Sequence, residues 1–137
     1  MDAERLEQEL ELLKSGYPDL EYREIGGEHW VRIPAYVIGE GWFASGEPID
    51  RVEIVFAIPI QVGQAPYAFR TRPGITLAGG AAPSNYTPAP VSTPWGDDFA
   101  QFSWSPLEGW VPKTDIRAGA NMLNFARSFA DRLKELS

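Results

Sequence analysis

The sequence contains no cysteine. This absence excludes a disulfide framework, a thiolate nucleophile and any zinc or iron–sulfur site built on cysteine ligands. Histidine occurs once, at His29, which leaves too few imidazoles for a multi-histidine metal site and makes a Ser-His-Asp triad hard to build. We therefore expect no bound metal and no chemistry that depends on a thiol.

Long apolar runs are also missing. No segment approaches the ~20 apolar residues that a membrane-spanning helix needs, and the charged stretch MDAERLEQELELLKSG lacks the apolar region of a signal peptide. Positive charge is scarce as well: 12 Lys and Arg face 19 Asp and Glu, a net charge of −7, which disfavours binding to a phosphate backbone. We expect a cytoplasmic protein without membrane or nucleic-acid partners.

The composition that remains is that of an ordinary globular domain. Of the 137 residues, 44% are hydrophobic and 23% are charged, and a chain of this size can bury a core without covalent staples. The segment GITLAGG at 74–80 lacks the lysine and the following helix of a phosphate-binding loop, so no cofactor is expected. The length predicts a single domain that covers residues 1–137.

Hydrophobic periodicity predicts a helix at each end of the chain. Leu6, Leu10 and Leu13 recur at helical spacing, and Asp2 precedes them as a candidate N-cap. The C-terminal helix is predicted to begin with Thr114 as its N-cap. Its apolar stripe comprises Met122, Phe125, Ala126, Phe129, Ala130, Leu133 and Leu136. Such a stripe indicates packing on a broad apolar surface, here one face of a sheet.

Strand-rich runs lie between the two helices. They are LEYREI (20–25), HWVRIPAYVI (29–38), RVEIVFAIPI (51–60) and the shorter YAFRT (67–71). Short connections between consecutive strands favour an antiparallel meander of three to four strands. Residues 73–113, rich in Gly, Pro, Ser and Thr, predict a long irregular loop held by aromatic anchors, with a flexible linker as the alternative. The predicted fold class is α+β.

Three short motifs follow one another along the meander and the loop. FAIPI closes the third predicted strand, APYAFRT contains Pro66, Phe69 and Thr71, and GWVPKTDI places Trp110 and Pro112 ahead of the C-terminal helix. In this order the motifs resemble those of the ubiquitin-conjugating (UBC) superfamily, and more narrowly a divergent bacterial branch found beside ubiquitin-like proteins and activating enzymes. The resemblance implies a UBC-like fold, in which a helix, a four-stranded meander, an active-site loop and a helix crossing the sheet follow in turn.

The chain departs from this family where the chemistry is expected. The family's His-Pro-Asn tripeptide is absent, and the nearest asparagine, Asn85, lies far upstream of the loop tryptophan. The family's catalytic cysteine precedes that tryptophan, and the matching neighbourhood here holds Phe102 and Ser103. The resemblance thus implies a transferase that accepts a ubiquitin-like C-terminus from an activating enzyme, as an oxyester on Ser103. Ser105 is the second choice of nucleophile.

A serine nucleophile needs a base within hydrogen-bond reach, because its hydroxyl is far less acidic than a thiol. The candidate bases are the carboxylates near the loop, Asp97, Asp98, Glu108 and Asp115. His29 lies at the start of a predicted strand far off in the sequence, where a lone histidine is more often a surface residue than a catalytic one. The Ser-x-Ser-Pro sequence is also common turn chemistry, in which the hydroxyls bond to nearby backbone. The sequence leaves both interpretations of Ser103 open.

Trp104 and Trp110 supply much of the aromatic mass of the loop. Large aromatic side chains hold loops against a core, and Trp110 matches the packing residue of the family. Trp104, next to Ser103, is predicted to contact a partner, because aromatic residues are favoured at contact surfaces.

Other functions remain open at this point. Superfamily members without the cysteine bind ubiquitin or support an active partner, so the chain is alternatively a non-catalytic binding module for a ubiquitin-like protein or an activating enzyme. A third interpretation is that Ser103 stands where a natural cysteine was replaced in order to trap a conjugate. An aromatic-rich ligand-binding domain outside the superfamily is the remaining alternative.

Overall fold

The computed structural model describes residues 2–60, 64–104 and 110–136. It is an α+β protein with a helix at each end and a curled antiparallel sheet between them. The sheet has six strands in the order β1-β2-β3-β4-β6-β5. The elements are α1 (Ala3–Gly16), β1 (Glu21–Ile25), β2 (Glu28–Ala44), β3 (Glu47–Ile58), β4 (Phe69–Arg72), a short 3-10 turn (Ala78–Gly80), β5 (Tyr86–Thr93), β6 (Gly96–Phe102) and α2 (Met122–Leu136).

Helix α1 forms where the sequence predicted it. Asp2 is its N-cap, since its side chain accepts a 2.7 Å hydrogen bond from the backbone N–H of Arg5. Leu12 and Leu13 are buried, and Leu6 packs against the same core. In the described part of the chain, no helix has the length and apolarity needed to cross a membrane.

The hairpin of β2 and β3 is longer than predicted. The predicted strands 29–38 and 51–60 leave the glycine-rich residues between them as a turn, but the strands continue through these residues to a tight turn at Ser45 and Gly46, both with positive φ. The pairing register shifts between Val37 and Trp42, and this bulge interrupts the alternation from which a strand is predicted. The prediction of a turn there was wrong because a bulged strand and a loop share the same glycine signal.

A second hairpin occupies part of the predicted irregular loop. Strands β5 and β6 lie within residues 73–113, and β6 pairs with β4, placing Phe102 opposite Phe69. The sheet therefore has more strands than the predicted three to four. Strand β5 escaped prediction because it is an exposed edge strand without alternation, and its Pro88 and Pro90 are tolerated only at an edge or a bulge.

Helix α2 begins later than predicted. The N-cap expected at Thr114 is replaced by an isolated turn, in which Asp115 accepts a 3.1 Å bond from the N–H of Arg117. The helix starts at Met122 instead, capped by Asn121, whose side-chain oxygen accepts a 2.9 Å bond from the N–H of Asn124. Most of the predicted stripe is buried: Met122, Phe125, Ala126, Phe129 and Leu133.

An aromatic cluster joins α2 to the inner face of the sheet. Phe69 of β4 stacks on both Phe125 and Phe129, with ring centroids 4.3 and 4.6 Å apart. Phe56 of β3 and Phe102 of β6 meet these helix residues edge-on, at 5.8 and 5.3 Å. These are favourable aromatic geometries, and together they connect three strands to one helix.

The outer face of the sheet is partly covered as well, because the sheet curls. The guanidinium of Arg23 on β1 lies 4.8 Å from the ring centroid of Trp95, in the turn between β5 and β6. Its Nη1 also donates a 2.5 Å bond to the carbonyl of Pro94. Val55 and Phe99, both fully buried, lie in the centre of the strands that curl in this way.

The hydroxyl of Tyr36 links β2 to α2. It donates a 2.5 Å bond to the carbonyl of Ala126 and accepts a 2.9 Å bond from the N–H of Ala130. Ala126 and Ala130 are one helical turn apart, so the hydroxyl bridges the carbonyl and the N–H of the same turn of α2. Tyr36 is only 2% exposed.

Replacing Tyr36 by Phe should lower the free energy of unfolding by about 1–3 kcal/mol, because the two hydrogen bonds of its hydroxyl to α2 are lost. Chemical denaturation measures the change. Tyr67→Phe is the matched control, at a side chain that is 56% exposed, and its effect should stay within about 0.5 kcal/mol. Equal effects of the two substitutions would show that the hydroxyl of Tyr36 does not stabilise the packing of β2 on α2.

Candidate functional site

Ser103 lies directly after β6, at the open end of the β5–β6 hairpin. Its backbone N–H donates a 2.8 Å bond to the carbonyl of Asn85, which directly precedes β5. The neighbouring Phe102 is buried against Phe129, so the packing of the core fixes the position of Ser103. Ser103 itself is partly exposed, as an accessible nucleophile must be.

The structure places Asn85 beside Ser103, which the sequence did not predict. The two residues are far apart in the chain, and the expectation of an irregular loop gave no reason to bring them together. Pairing of β5 with β6 brings the two residues together. Asn85 has a φ of 59°, in the left-handed region that asparagine tolerates better than most residues.

Trp104 is anchored to α2. Its indole N–H donates a 3.2 Å bond to the hydroxyl of Ser128, and the guanidinium of Arg132 lies 5.3 Å from its ring centroid. Its carbonyl accepts a 2.8 Å bond from the N–H of Ala68. The indole is partly exposed, and its predicted contact with a partner stays a prediction.

Trp110 begins the segment that leads to α2. Its ring packs on the core, 6.4 Å from Phe125 and nearly perpendicular to it. The following segment folds back on itself, since the N–H of Ala120 donates a 3.0 Å bond to the carbonyl of Val111. Gly119 permits this approach, because a Cβ there would lie 2.5 Å from the Val111 oxygen.

Helix α1 holds the far end of this segment. The guanidinium of Arg5 donates to the carbonyls of Lys113, at 2.5 Å, and Ala120, at 3.4 Å. The carboxylate of Glu9 accepts a 2.9 Å bond from the N–H of Met122, at the start of α2, where the helix dipole favours a negative charge. Burial raises the pKa of Glu9, and the Met122 bond and the charge of Arg5 oppose that rise.

Asp98, one of the predicted bases, and His29 are both bonded to side chains elsewhere on the sheet. Asp98 accepts a 2.7 Å bond from Arg72, which holds the pKa of Asp98 below its ordinary value. His29 lies on β2, and its Nδ1 is 2.6 Å from the hydroxyl of Tyr22. In the order of the sheet, β2 is separated from β6 by β3 and β4, so the single imidazole belongs to a different part of the protein.

The remaining candidates divide between exposed positions and residues outside the described ranges. Asp97 is exposed on β6, and Asp115 caps the isolated turn before α2. Ser105 and Glu108 fall outside the described residues. Within the described ranges, no hydrogen bond joins the Ser103 hydroxyl to a carboxylate or an imidazole, and no three acidic or imidazole side chains converge as metal ligands would.

The described cavities lie away from Ser103. A cleft of about 570 Å³ separates the end of α1 from β2 and α2, and Tyr17, Asp19, Arg127 and Asp131 are among its lining residues. A smaller one of about 200 Å³ lies beside the end of β3.

An ion-pair cluster occupies the outer face of the sheet. The two carboxylate oxygens of Glu53 accept bonds from Arg32 Nε and from Arg72 Nε and Nη2, the latter two at 2.8 Å. Burial alone would raise the pKa of Glu53, but the hydrogen bonds from Arg72 and Arg32 outweigh it and leave that pKa below its ordinary value of 4.5.

Because the pKa of Glu53 is lowered in the folded protein, its contribution to stability is complete above pH 4.5 and is lost as the pH falls through the lowered value. Glu53→Gln should therefore reduce the free energy of unfolding by about 1–3 kcal/mol at pH 7, with a smaller difference at acidic pH. Denaturation from pH 7 to pH 3 measures it. Glu47→Gln, at an exposed carboxylate at the start of β3, controls for the loss of one negative charge, and a pH-independent difference would contradict the prediction.

A double-mutant cycle tests the anchoring of Trp104. Trp104→Phe and Ser128→Ala should show a coupling energy of about 0.5–1.5 kcal/mol, because each substitution removes one end of the same hydrogen bond. Trp110→Phe combined with Ser128→Ala should be additive within about 0.5 kcal/mol. Additivity in both pairs would show that the indole N–H of Trp104 contributes nothing to stability.

Comparison with known proteins gave no match. No family model matches the chain, and no similar protein was found among curated sequences or solved structures. A functional assignment therefore depends on the residues and the geometry described above.

Proposed function

We propose that this chain is a UBC-like transferase that accepts the activated C-terminus of a ubiquitin-like protein as an oxyester on Ser103. The observation that supports it is the juxtaposition of Ser103 and Asn85, joined by a 2.8 Å backbone bond at the end of the β5–β6 hairpin. On this proposal the Ser103 hydroxyl is the nucleophile and the Asn85 side-chain amide is the hydrogen-bond donor.

The order of elements supports the same proposal. A helix, four consecutive antiparallel strands and a C-terminal helix packed on the sheet follow one another as in a UBC-like fold. The chain differs from that fold in the β5–β6 hairpin, which forms where part of the active-site loop was expected. That hairpin also provides what the missing His-Pro-Asn tripeptide would otherwise supply, an asparagine next to the nucleophile.

The proposed reaction is an acyl transfer. The Ser103 oxygen attacks the carbonyl carbon of the thioester that joins the ubiquitin-like protein to its activating enzyme, and the hydroxyl proton passes to a base. The Asn85 amide donates to the oxyanion that forms, a contribution of roughly 10²–10³ in rate for one such donor. Collapse expels the thiolate and leaves an ester on Ser103. An acceptor amine then attacks this ester, forms an amide and regenerates the hydroxyl.

A second function is favoured by the environment of the candidate bases. Asp98, His29 and Asp115 are each hydrogen-bonded to another group. A binding module for a ubiquitin-like protein or an activating enzyme needs no base at all. In that case Ser103 ends a strand and Trp104 contributes to the contact surface.

Intact mass spectrometry separates the two functions. After incubation with ATP, an activating enzyme and its ubiquitin-like protein, a transferase should gain the mass of the ubiquitin-like protein. The adduct should resist thiol reductant, be cleaved by mild base, and be lost in Ser103→Ala but retained in Ser105→Ala. In Ser103→Cys the adduct should become sensitive to reductant, as a thioester is. Binding without an adduct would favour the binding module.

The role of Asn85 is tested by two substitutions. Asn85→Gly removes the amide while allowing the positive φ, and Asn85→Ala removes the amide in a residue that disfavours it. Both should slow adduct formation by about 10²–10³, although only Asn85→Ala should lower the melting temperature. A normal rate in Asn85→Gly would show that the amide does not stabilise the oxyanion.

A further inference from the structure

Three arginines share the outer face of the sheet, away from the helices. Arg32 on β2 is opposite Val55 on β3, which is in turn opposite Arg70 on β4. Arg72, two residues further along β4, is opposite Glu53. Alternation along each strand places these side chains on one face, since the intervening Ile54 belongs to the core.

Glu53 is the carboxylate in the middle of this group, and both of its oxygens accept hydrogen bonds from arginines. Arg32 and Arg72 both donate to it. Arg32 also bonds to Glu21, at 2.8 Å, and Arg72 to Asp98, at 2.7 Å. Each of these two arginines is therefore neutralised by carboxylates of the chain itself.

Arg70, across Val55 from Arg32, has no such partner among the described residues. Its guanidinium lies 5.0 Å from the ring centroid of Trp30, and its Nε and Nη1 are buried without a hydrogen-bond partner. No ion pair with Arg70 occurs among residues 2–60, 64–104 and 110–136. Burial lowers the pKa of Arg70, although the charges of Tyr67 and Glu28 oppose this.

An unpaired buried guanidinium is costly for a folded protein. Arg70 is partly exposed. Because its Nε and Nη1 are buried, a ligand from solvent reaches the guanidinium at Nη2, while Trp30 supports one flat side of the group.

We propose that Arg70 and Trp30 form a binding site for a carboxylate from outside the chain. Glu53 shows on the same face how a carboxylate pairs with these strand arginines. A singly charged carboxylate suits the site better than a phosphate, because the chain carries a net charge of −7 and Glu28 lies nearby. The carboxylate belongs either to an acidic side chain of a partner protein or to a free small acid. This site is independent of the chemistry proposed for Ser103.

The test uses the guanidinium Nε–H signals in nuclear magnetic resonance, with sodium acetate as the probe and sodium chloride at equal ionic strength as the control. Loss of a signal in Arg70→Lys assigns Arg70. Acetate should move this signal along a saturating curve that chloride does not reproduce. The signal of Arg132, which is paired with Glu135 at 2.9 Å, serves as the internal control and should not saturate. Identical responses to acetate and chloride would overturn the proposal.

Two substitutions exclude a partner within the chain. Arg70→Met should melt no lower than the natural protein, because an unpaired charge is removed, whereas Arg32→Met should melt lower, because Glu53 loses a donor. Equal losses in both variants would show that Arg70 has an internal partner and would overturn the proposal. The same conclusion follows if Glu28→Gln alone, without acetate, moves the Arg70 signal as far as acetate does.

The source of the carboxylate is decided by a short peptide. A capped Ala-Glu-Ala peptide is compared with Ala-Gln-Ala and with acetate. Binding of the Glu peptide at least about tenfold tighter than acetate supports an acidic segment of a partner protein, and equal affinity supports a free carboxylate. Equal binding of the Glu and Gln peptides would show that the charge is not recognised, and would overturn the proposal.

Discussion

The stacking of Phe69 between Phe125 and Phe129 is the contact on which the rest of the structure depends. It joins the centre of the sheet to α2 with ring centroids 4.3 and 4.6 Å apart, and interiors packed this closely do not tolerate displacement. Phe102 meets the same helix at 5.3 Å, so the end of β6 is fixed by the cluster. Ser103 is the next residue, so the same packing also fixes its position.

Much of the fold follows from local pattern, and the parts that do not are those set by distant contacts. Helix α1 and the first four strands follow from periodicity and short turns. The β5–β6 hairpin does not, because an edge strand that contains Pro88 and Pro90 has no alternating face to reveal it. The start of α2 was predicted too early, because Thr114 resembles an N-cap, whereas the tertiary contact of Glu9 with Met122 stabilises the later start.

The residues of the candidate site were likewise predictable only in part. Ser103 was proposed from a resemblance in sequence, which requires no knowledge of neighbours. Asn85 was set aside, because its place beside Ser103 exists only once β5 and β6 have paired. The isolation of Arg70 was equally hidden, since it depends on cross-strand register and on the saturation of Glu53 by two other arginines. Sequence shows which reactive groups are present, and long-range pairing decides which of them meet.

The most direct measurement of the central claim is the location of the acyl group in the adduct. Trypsin releases the peptide between Arg70 and Lys113, because the bond after Arg72 precedes a proline. Fragmentation of this peptide should place the added mass between Phe102 and Trp104, on a bond that hydroxylamine cleaves. Added mass on Ser105, or a base-stable amide on a lysine, would contradict the assignment of Ser103 as the acceptor.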